Sequence, residues 1–324
     1  MKRLTLILLL TLLVISCDKS ASPVISSLIA TPDSVYPVDT VTITYQVYDE
    51  DDPVLQSGLT CETGKLIPCA QTDPLVSEYQ WVAPKQPGDH YIKLLVFDTG
   101  HSATASVKVV VRDTSGSFTD ARDNHSYKWV KIGTQIWMAE NLAYLPELVI
   151  SPFSSAKPFY FVYGYNGTDV AEAKATDPYN AYGVLYNKAA ATNACPAGWH
   201  LPSDDEWKVL EKHLGMNQND LGSDVLRTSG SVGNQLKETG TTYWRSPNSG
   251  STNITGFSAR PGGEMGYNTG YTGFMDARGT AYFWSGTLNT PGSSWIRNLD
   301  NGYAGIDRHY MGNGDGLSVR CVKD

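Results

Sequence analysis

Charge is scarce in this chain of 324 residues: Asp, Glu, Lys and Arg make up 18%, the formal net charge is −8, and no basic run follows Lys2-Arg3. That balance argues against nucleic acid and anionic lipid head groups as partners, since both are held by clustered Lys and Arg. Histidine is scarcer still. His90, His101, His125, His200, His213 and His309 share no zinc-ligand spacing, and no metal site is assigned. The nucleophile elbow G-x-S-x-G is absent. The run Gly312-Asn313-Gly314-Asp315-Gly316 precedes a short terminal strand, so the helix N-terminus of a phosphate cradle is missing. A glycosidase carboxylate pair is defined by separation in space, on which sequence is silent. The chain reads as non-catalytic and without a cofactor.

Cysteine is also sparse, with five residues. The first closes the segment "MKRLTLILLLTLLVISC", in which two basic residues precede an apolar run too short for a comfortable membrane span. Val14-Ile15-Ser16-Cys17 resembles a bacterial lipobox, which makes residues 1–16 a lipoprotein signal peptide and Cys17 the lipidated N-terminus. Removing Lys2 and Arg3 with that leader takes the net charge from −8 to −10. Several acyl chains anchor a protein firmly, whereas one binds marginally. The expected location is the outer membrane or cell surface, the membrane being a partner through the anchor alone.

The other four cysteines, Cys61, Cys69, Cys195 and Cys321, are an even number in a disulfide-permissive compartment, with three connectivities. Thr63-Gly64 can turn the chain back between Cys61 and Cys69, which pairs those two locally and leaves Cys195 with Cys321. Phe is outnumbered, 8 against 19 Tyr and 8 Trp. Aromatics with a polar handle suit surfaces packed on one side and wet on the other.

Length and texture divide the chain. A polar tether covers 17–24. In "VTITYQVYDE", Val41, Ile43, Tyr45 and Val47 share one face of a half-buried strand. "HYIKLLVFDTG" and "TASVKVVVRD" read as two more, turned at Asp98-Thr99-Gly100. Short strands punctuated by proline predict an all-β sandwich over 25–112, and "PGDHYIKLLVFD" resembles immunoglobulin-like and PKD-type stalk modules. The acidic run Asp49 to Asp52 matches no calcium-loop spacing and reads as a solvated turn. "DTSGSFTDARD", 113–123, lacks apolar periodicity and reads as a linker.

In 124–324, "YKWVKIGTQIWMAENLAY" reads as a hairpin turned at Gly133-Thr134 with Trp137 facing inward. "YGVLYNKAAATNACPAGWHLPSDDEWKVLEKHLG", "TGFSARPGGEM", "AYFWSGT" and "GLSVRCVKD" follow. Together these closely resemble the Fibrobacter succinogenes major paralogous domain, departing from it at Val184 and Lys188, where Arg and Trp are commoner. "CPAGWHLPSDDEW" with "SVRC" is more distantly similar to formylglycine-generating enzymes, whose α+β fold elaborates the C-type lectin. In that fold the two cysteines are bonded, so the resemblance also implies Cys195–Cys321. The oxidase chemistry does not carry over, because no cysteine lies between them.

Within that stretch, Ser203 and Glu206 form a capping box, and Asp204 and Asp205 occupy the first helical turn. Trp207, Leu210 and Leu214 share a face that Gly215 can end. The stretch is scaffold, with His200 packed and hydrogen-bonded. The binding candidates lie in "MGYNTGYTGFMDARG" and "TPGSSWIRNLDNGYAGIDRHYMGNGDG", read as loops: Tyr267, Tyr271, Trp295 and Tyr303 as stacking platforms, Asn298 and Asp300 as hydrogen-bonding partners. The expectation is a surface lipoprotein displaying a lectin-like, non-catalytic head for polysaccharide or an envelope protein. The first alternative is a purely structural envelope protein, the second an enzyme with an unrecognised site.

Overall fold

The computed structural model describes residues 21–50, 55–69, 76–148, 154–268 and 271–324, the side chains of Tyr267, Asn268 and Tyr271 excepted. Cys17, the leader before it, and Asp51 and Asp52 lie outside the described residues. The chain forms two compact units that divide between Asp113 and Thr114.

The first unit holds β1 (Val24–Thr31), β2 (Ser34–Val35), β3 (Thr40–Tyr48), β4 (Gln56–Cys61), β5 (Lys65–Pro68), β6 (Ser77–Val82), β7 (Gly88–Phe97) and β8 (Ser102–Val111). They form two four-stranded sheets, ordered β1-β3-β6-β5 and β2-β8-β7-β4. Alternation decides which face is buried. Val41, Ile43 and Tyr45 of β3 point inward, and so do Ile92, Leu94 and Val96 of β7. Trp81, with no exposed surface, fills the space between the sheets and donates its Nε1–H to the Thr63 carbonyl at 3.0 Å. Gly64 sits at φ 78°, and a Cβ there would meet the Trp81 ring nitrogen at 2.5 Å.

That turn corrects the first cysteine pairing: Cys61 and Cys69 are both free thiols. Cys61 ends β4 in one sheet, opposite Ile92. Cys69 follows β5 in the other, where its amide donates to Glu78. The Thr63-Gly64 turn carries the chain from sheet to sheet and does not fold it back on itself.

The second unit runs through β9 (Ser115–Thr119), β10 (Ser126–Ile132), β11 (Gln135–Met138), β12 (Tyr160–Phe161), α1 (Val170–Lys174), α2 (Asp177–Tyr182), β13 (Leu185–Tyr186) and α3 (Lys188–Ala191). Then come β14 (Trp199–His200), α4 (Asp204–His213), β15 (Leu226–Arg227), α5 (Val232–Leu236), β16 (Glu264–Asn268), β17 (Tyr271–Met275), β18 (Thr280–Thr290), β19 (Ser293–Asp300), β20 (Ile306–Gly312) and β21 (Val322–Lys323). The larger sheets are ordered β14-β21-β11-β10-β9 and β15-β20-β19-β18.

The expected linker is therefore partly strand. β9 pairs with β10 over Ser115 to Thr119, Phe118 stacks on Trp199 at 4.5 Å, and Gly116 leaves room for the Trp129 ring. Its one apolar anchor and its non-local partners leave no local period to read.

The sheet β15-β20-β19-β18 lies between two cores, because successive residues of a strand face opposite ways. Phe283 and Leu299 enter a cluster with Trp137, Trp207, Leu210, Trp244 and Phe257. Trp284 and Ile296 enter another with Tyr127, Met138, Tyr186, Leu317 and Val319. The two departures from the family pattern, Val184 and Lys188, are both buried, and the Lys188 ammonium donates to the Ser285 carbonyl at 2.5 Å. Cys195 and Cys321 are disulfide-bonded with Cα atoms 5.9 Å apart.

α4 begins with the capping box of Ser203 and Glu206, buries Trp207 and Leu210, and is followed by Gly215 at φ 94°. Asp204 does more than start the helix. It is buried and bound by Arg297 at 2.8 Å, Arg308 at 2.8 Å and Lys208 at 2.8 Å. About two turns further along the same face, Glu211 is gripped by Arg227 through both oxygens and by Arg297.

Candidate functional site

The two stretches read as loops are mostly strand: "MGYNTGYTGFMDARG" contains the β16–β17 hairpin, and the second stretch is β19, a turn and β20. Register then places the binding candidates. Tyr282, Asn298 and Asp307 form one row across β18, β19 and β20, and Thr280 pairs with Asp300 one step toward the strand end. On the same face, Trp284, Ile296 and His309 make the next row, which closes the core. The face thus changes from apolar to polar along its own strands.

At the polar end is an open concavity of about 480 Å³. Asn298, Asp300 and Tyr303 line it together with Arg245, Asp276, Thr280, Tyr282 and Asp307. Three of the six sequence candidates therefore converge. Tyr267 and Tyr271 lie on the β16–β17 hairpin, and their side chains are outside the described residues.

Trp295 is not brought to the concavity. An odd number of residues from Asn298 on an unbroken strand, it faces the other side of the sheet. There the Arg308 guanidinium lies 3.5 Å from the centre of its ring, and Tyr310 meets it edge-on at 6.1 Å. A cation already covers the ring face that a sugar would use.

The concavity is held from behind. Lys237 is fully buried and donates to the carbonyls of Asp300 at 2.9 Å and Tyr303 at 2.8 Å, with its ammonium 5.6 Å from the Trp244 ring centre. Those bonds fix the turn that presents both residues. Burial pulls the ammonium down to about 8, against a smaller opposing effect of Asp300. The Asp300 carboxylate accepts from the Gly302 amide at 2.7 Å and the Thr280 hydroxyl at 3.3 Å. The Tyr282 hydroxyl donates to Asp276 at 3.0 Å. Burial raises that phenol well above its usual range, and Asp276 and Glu264 add to the effect. Glu264, opposite Met275 in the hairpin, is 8% exposed, and its Oε2 has no hydrogen-bond partner. Burial, then Asp315 and Asp276, push its carboxyl up to about 7. Asn298 Oδ1 is likewise buried without a partner.

Among the described residues, no three His, Cys, Asp or Glu side chains are grouped as a metal ion requires. Sequence reasoning missed Arg245, Asp276, Thr280, Tyr282 and Asp307, although Asp276 and Asp307 lie inside the two stretches it singled out. No short-range signal marks them, since strand register assembles the row. Lys237 had no signal either: its partners are carbonyls more than sixty positions along the chain.

Fold and site define a β-rich protein of two units, the second bearing an open polar concavity. Residues 130–323, more than half of the chain, match the Fibrobacter succinogenes major domain (Fib_succ_major), and the chain belongs to that family. No curated protein matches the sequence. A solved structure of the Yersinia pseudotuberculosis adhesin InvE is similar at 14% identity over 91% of this chain and 96% of that one, with a TM-score of 0.23. A TM-score that low carries no argument about fold or function.

Proposed function

We propose that this protein is a lipoprotein of the bacterial cell envelope, in the outer membrane or at the cell surface, and that its second unit is a non-catalytic, lectin-like head for polysaccharide. The observation that carries this reading is the convergence of Asn298, Asp300 and Tyr303 on one open concavity with Tyr282 and Asp307. Tyr303, 57% exposed at the rim, offers a ring face, while the carboxylate oxygens that line the concavity suit hydroxyls. An immunoglobulin-like assignment of the first unit is supported by its two facing four-stranded sheets. A C-type-lectin-like assignment of the second is supported by small antiparallel sheets, a few short helices and the bond from Cys195 to the strand-end Cys321. Lys2-Arg3, the apolar run and Val14-Ile15-Ser16-Cys17 support the anchor.

The test is binding of the purified full chain to glycan and plant-polysaccharide arrays, repeated with Asn298→Ala and Tyr303→Ala. Losing a central contact typically costs at least about 2 kcal/mol, roughly thirtyfold in affinity. No retained glycan would instead favour the purely structural envelope protein. In a parallel fractionation, Cys17→Ser should release the protein from membranes or leave it unprocessed. Unchanged lipid labelling would remove the anchor from the proposal.

A further inference from the structure

The charge and hydrogen-bonding balance of the concavity narrows the ligand, given the carbohydrate-binding reading above. Its walls carry three carboxylates, Asp276, Asp300 and Asp307, and the guanidinium of Arg245, with the Lys237 ammonium buried behind Asp300. Among the described residues, none of the three is ion-paired. The chain elsewhere does neutralise carboxylates where they cluster, as Asp204 and Glu211 show with three arginines.

Donors and acceptors are unbalanced in the same direction. The hydroxyls of Tyr282 and Thr280 are both spent inward, on Asp276 and Asp300. A carboxylate offers about four lone-pair sites, so each of these retains accepting capacity after one or two bonds. Glu264, more than nine-tenths buried, has an oxygen without a partner, and burial first, then Asp315 and Asp276, raises its carboxyl. A ligand that matches must bring donors and positive charge.

We propose that the concavity selects saccharides bearing a free, protonated amino group and disfavours those bearing carboxylates. Ring hydroxyls donate to Asp300 and Asp307, Tyr303 stacks on the sugar face, and the ammonium lies among Asp276, Asp300 and Asp307. A uronate would set its own carboxylate against three others, with Arg245 as the one cation on the wall to answer it.

The test is calorimetric titration of the purified full chain with length-matched oligomers of glucosamine, N-acetylglucosamine, glucose and galacturonate, at mildly acidic pH so that the amine is charged. Glucosamine oligomers should bind about tenfold more tightly than glucose oligomers, the scale expected of a few partly exposed charge pairs, with the margin shrinking as salt rises. Two variants should move the preference in opposite directions, which a merely structural defect would not do. Asp307→Asn should reduce the glucosamine margin several-fold, and Arg245→Gln should widen it.

Neutral oligomers binding as tightly as glucosamine would overturn the charge selectivity while leaving the carbohydrate reading intact. Galacturonate binding best would overturn it in sign. An oligolysine peptide binding as tightly, with the same response to Asp307→Asn, would overturn the assignment to sugars. No binding of any oligomer would remove both this inference and the reading on which it rests.

Discussion

His200, read as packed and hydrogen-bonded, forms a clasp. Its Nδ1 meets Asp324 at 2.6 Å and its Nε2 meets Glu206 at 2.8 Å, while Glu206 also accepts from the Ser203 amide at the start of α4. Burial alone would lower the imidazole, but hydrogen bonds to Asp324 and Glu206 outweigh it and raise the group above its ordinary 6.5. A raised folded value means that the stabilisation is fully present below 6.5 and is lost as pH rises through the folded value. The side chain is 42% exposed, so screening keeps the effect small. His200→Asn should therefore lower the melting temperature slightly under mildly acidic conditions and leave it unchanged in alkali, as thermal melts across a pH series would read. An equal loss at every pH would mean that packing, and not charge, holds the clasp.

For a whole strand, a single face can carry two kinds of stability. β19 sends Ile296 into one core and Leu299 into the other, while Arg297, with no exposed surface, bonds to Asp204 and Glu211. Breaking a buried pair leaves an uncompensated charge, which costs more than the intact pair stabilises. Trp207 on α4 lies 4.8 Å from the Trp137 ring centre and 5.9 Å from that of Phe283. Trp207→Ala should cost about 3–5 kcal/mol in denaturant unfolding. Trp295→Ala, which removes the cover from Arg308, should cost only about 1–2 kcal/mol. Because Trp295 faces away from the concavity, the same substitution should leave glycan binding unaltered; a large loss there would place the site on the other face.

Across the second unit, the bond from Cys195 to Cys321 closes a sequence separation of 126 residues. Both cysteines pack on the core around Tyr127, Tyr186 and Trp284, and β21 just beyond Cys321 joins β11 to β14. The crosslink therefore ties the last strand to the middle of the chain. Chain entropy predicts a large effect for so long a loop, and replacing Cys195 with Ser should cost about 2–5 kcal/mol. Unfolding with and without reductant checks this: reductant should lower the wild-type midpoint and leave the variant's unchanged.

Features that depend on neighbours along the chain were legible in the sequence. The alternation of Val41, Ile43 and Tyr45, the capping box at Ser203 and Glu206, and the inward Trp137 each rest on spacings of a few residues. The family was legible too, because its motifs are contiguous. Other features depend on distant partners. β9 was hidden by its single apolar anchor. Cys61 and Cys69 are close in sequence but sit in opposite sheets. β19 and β20 looked like polar loops because buried positions on both carry arginines held in ion pairs, Arg297 and Arg308, which hides the two-residue hydropathy rhythm of a half-exposed strand. The same long-range register aligns Tyr282, Asn298 and Asp307 and turns Trp295 away from them. Composition named the kinds of residue a binding surface would use, and only the pairing of β18, β19 and β20 decided which of them share a face.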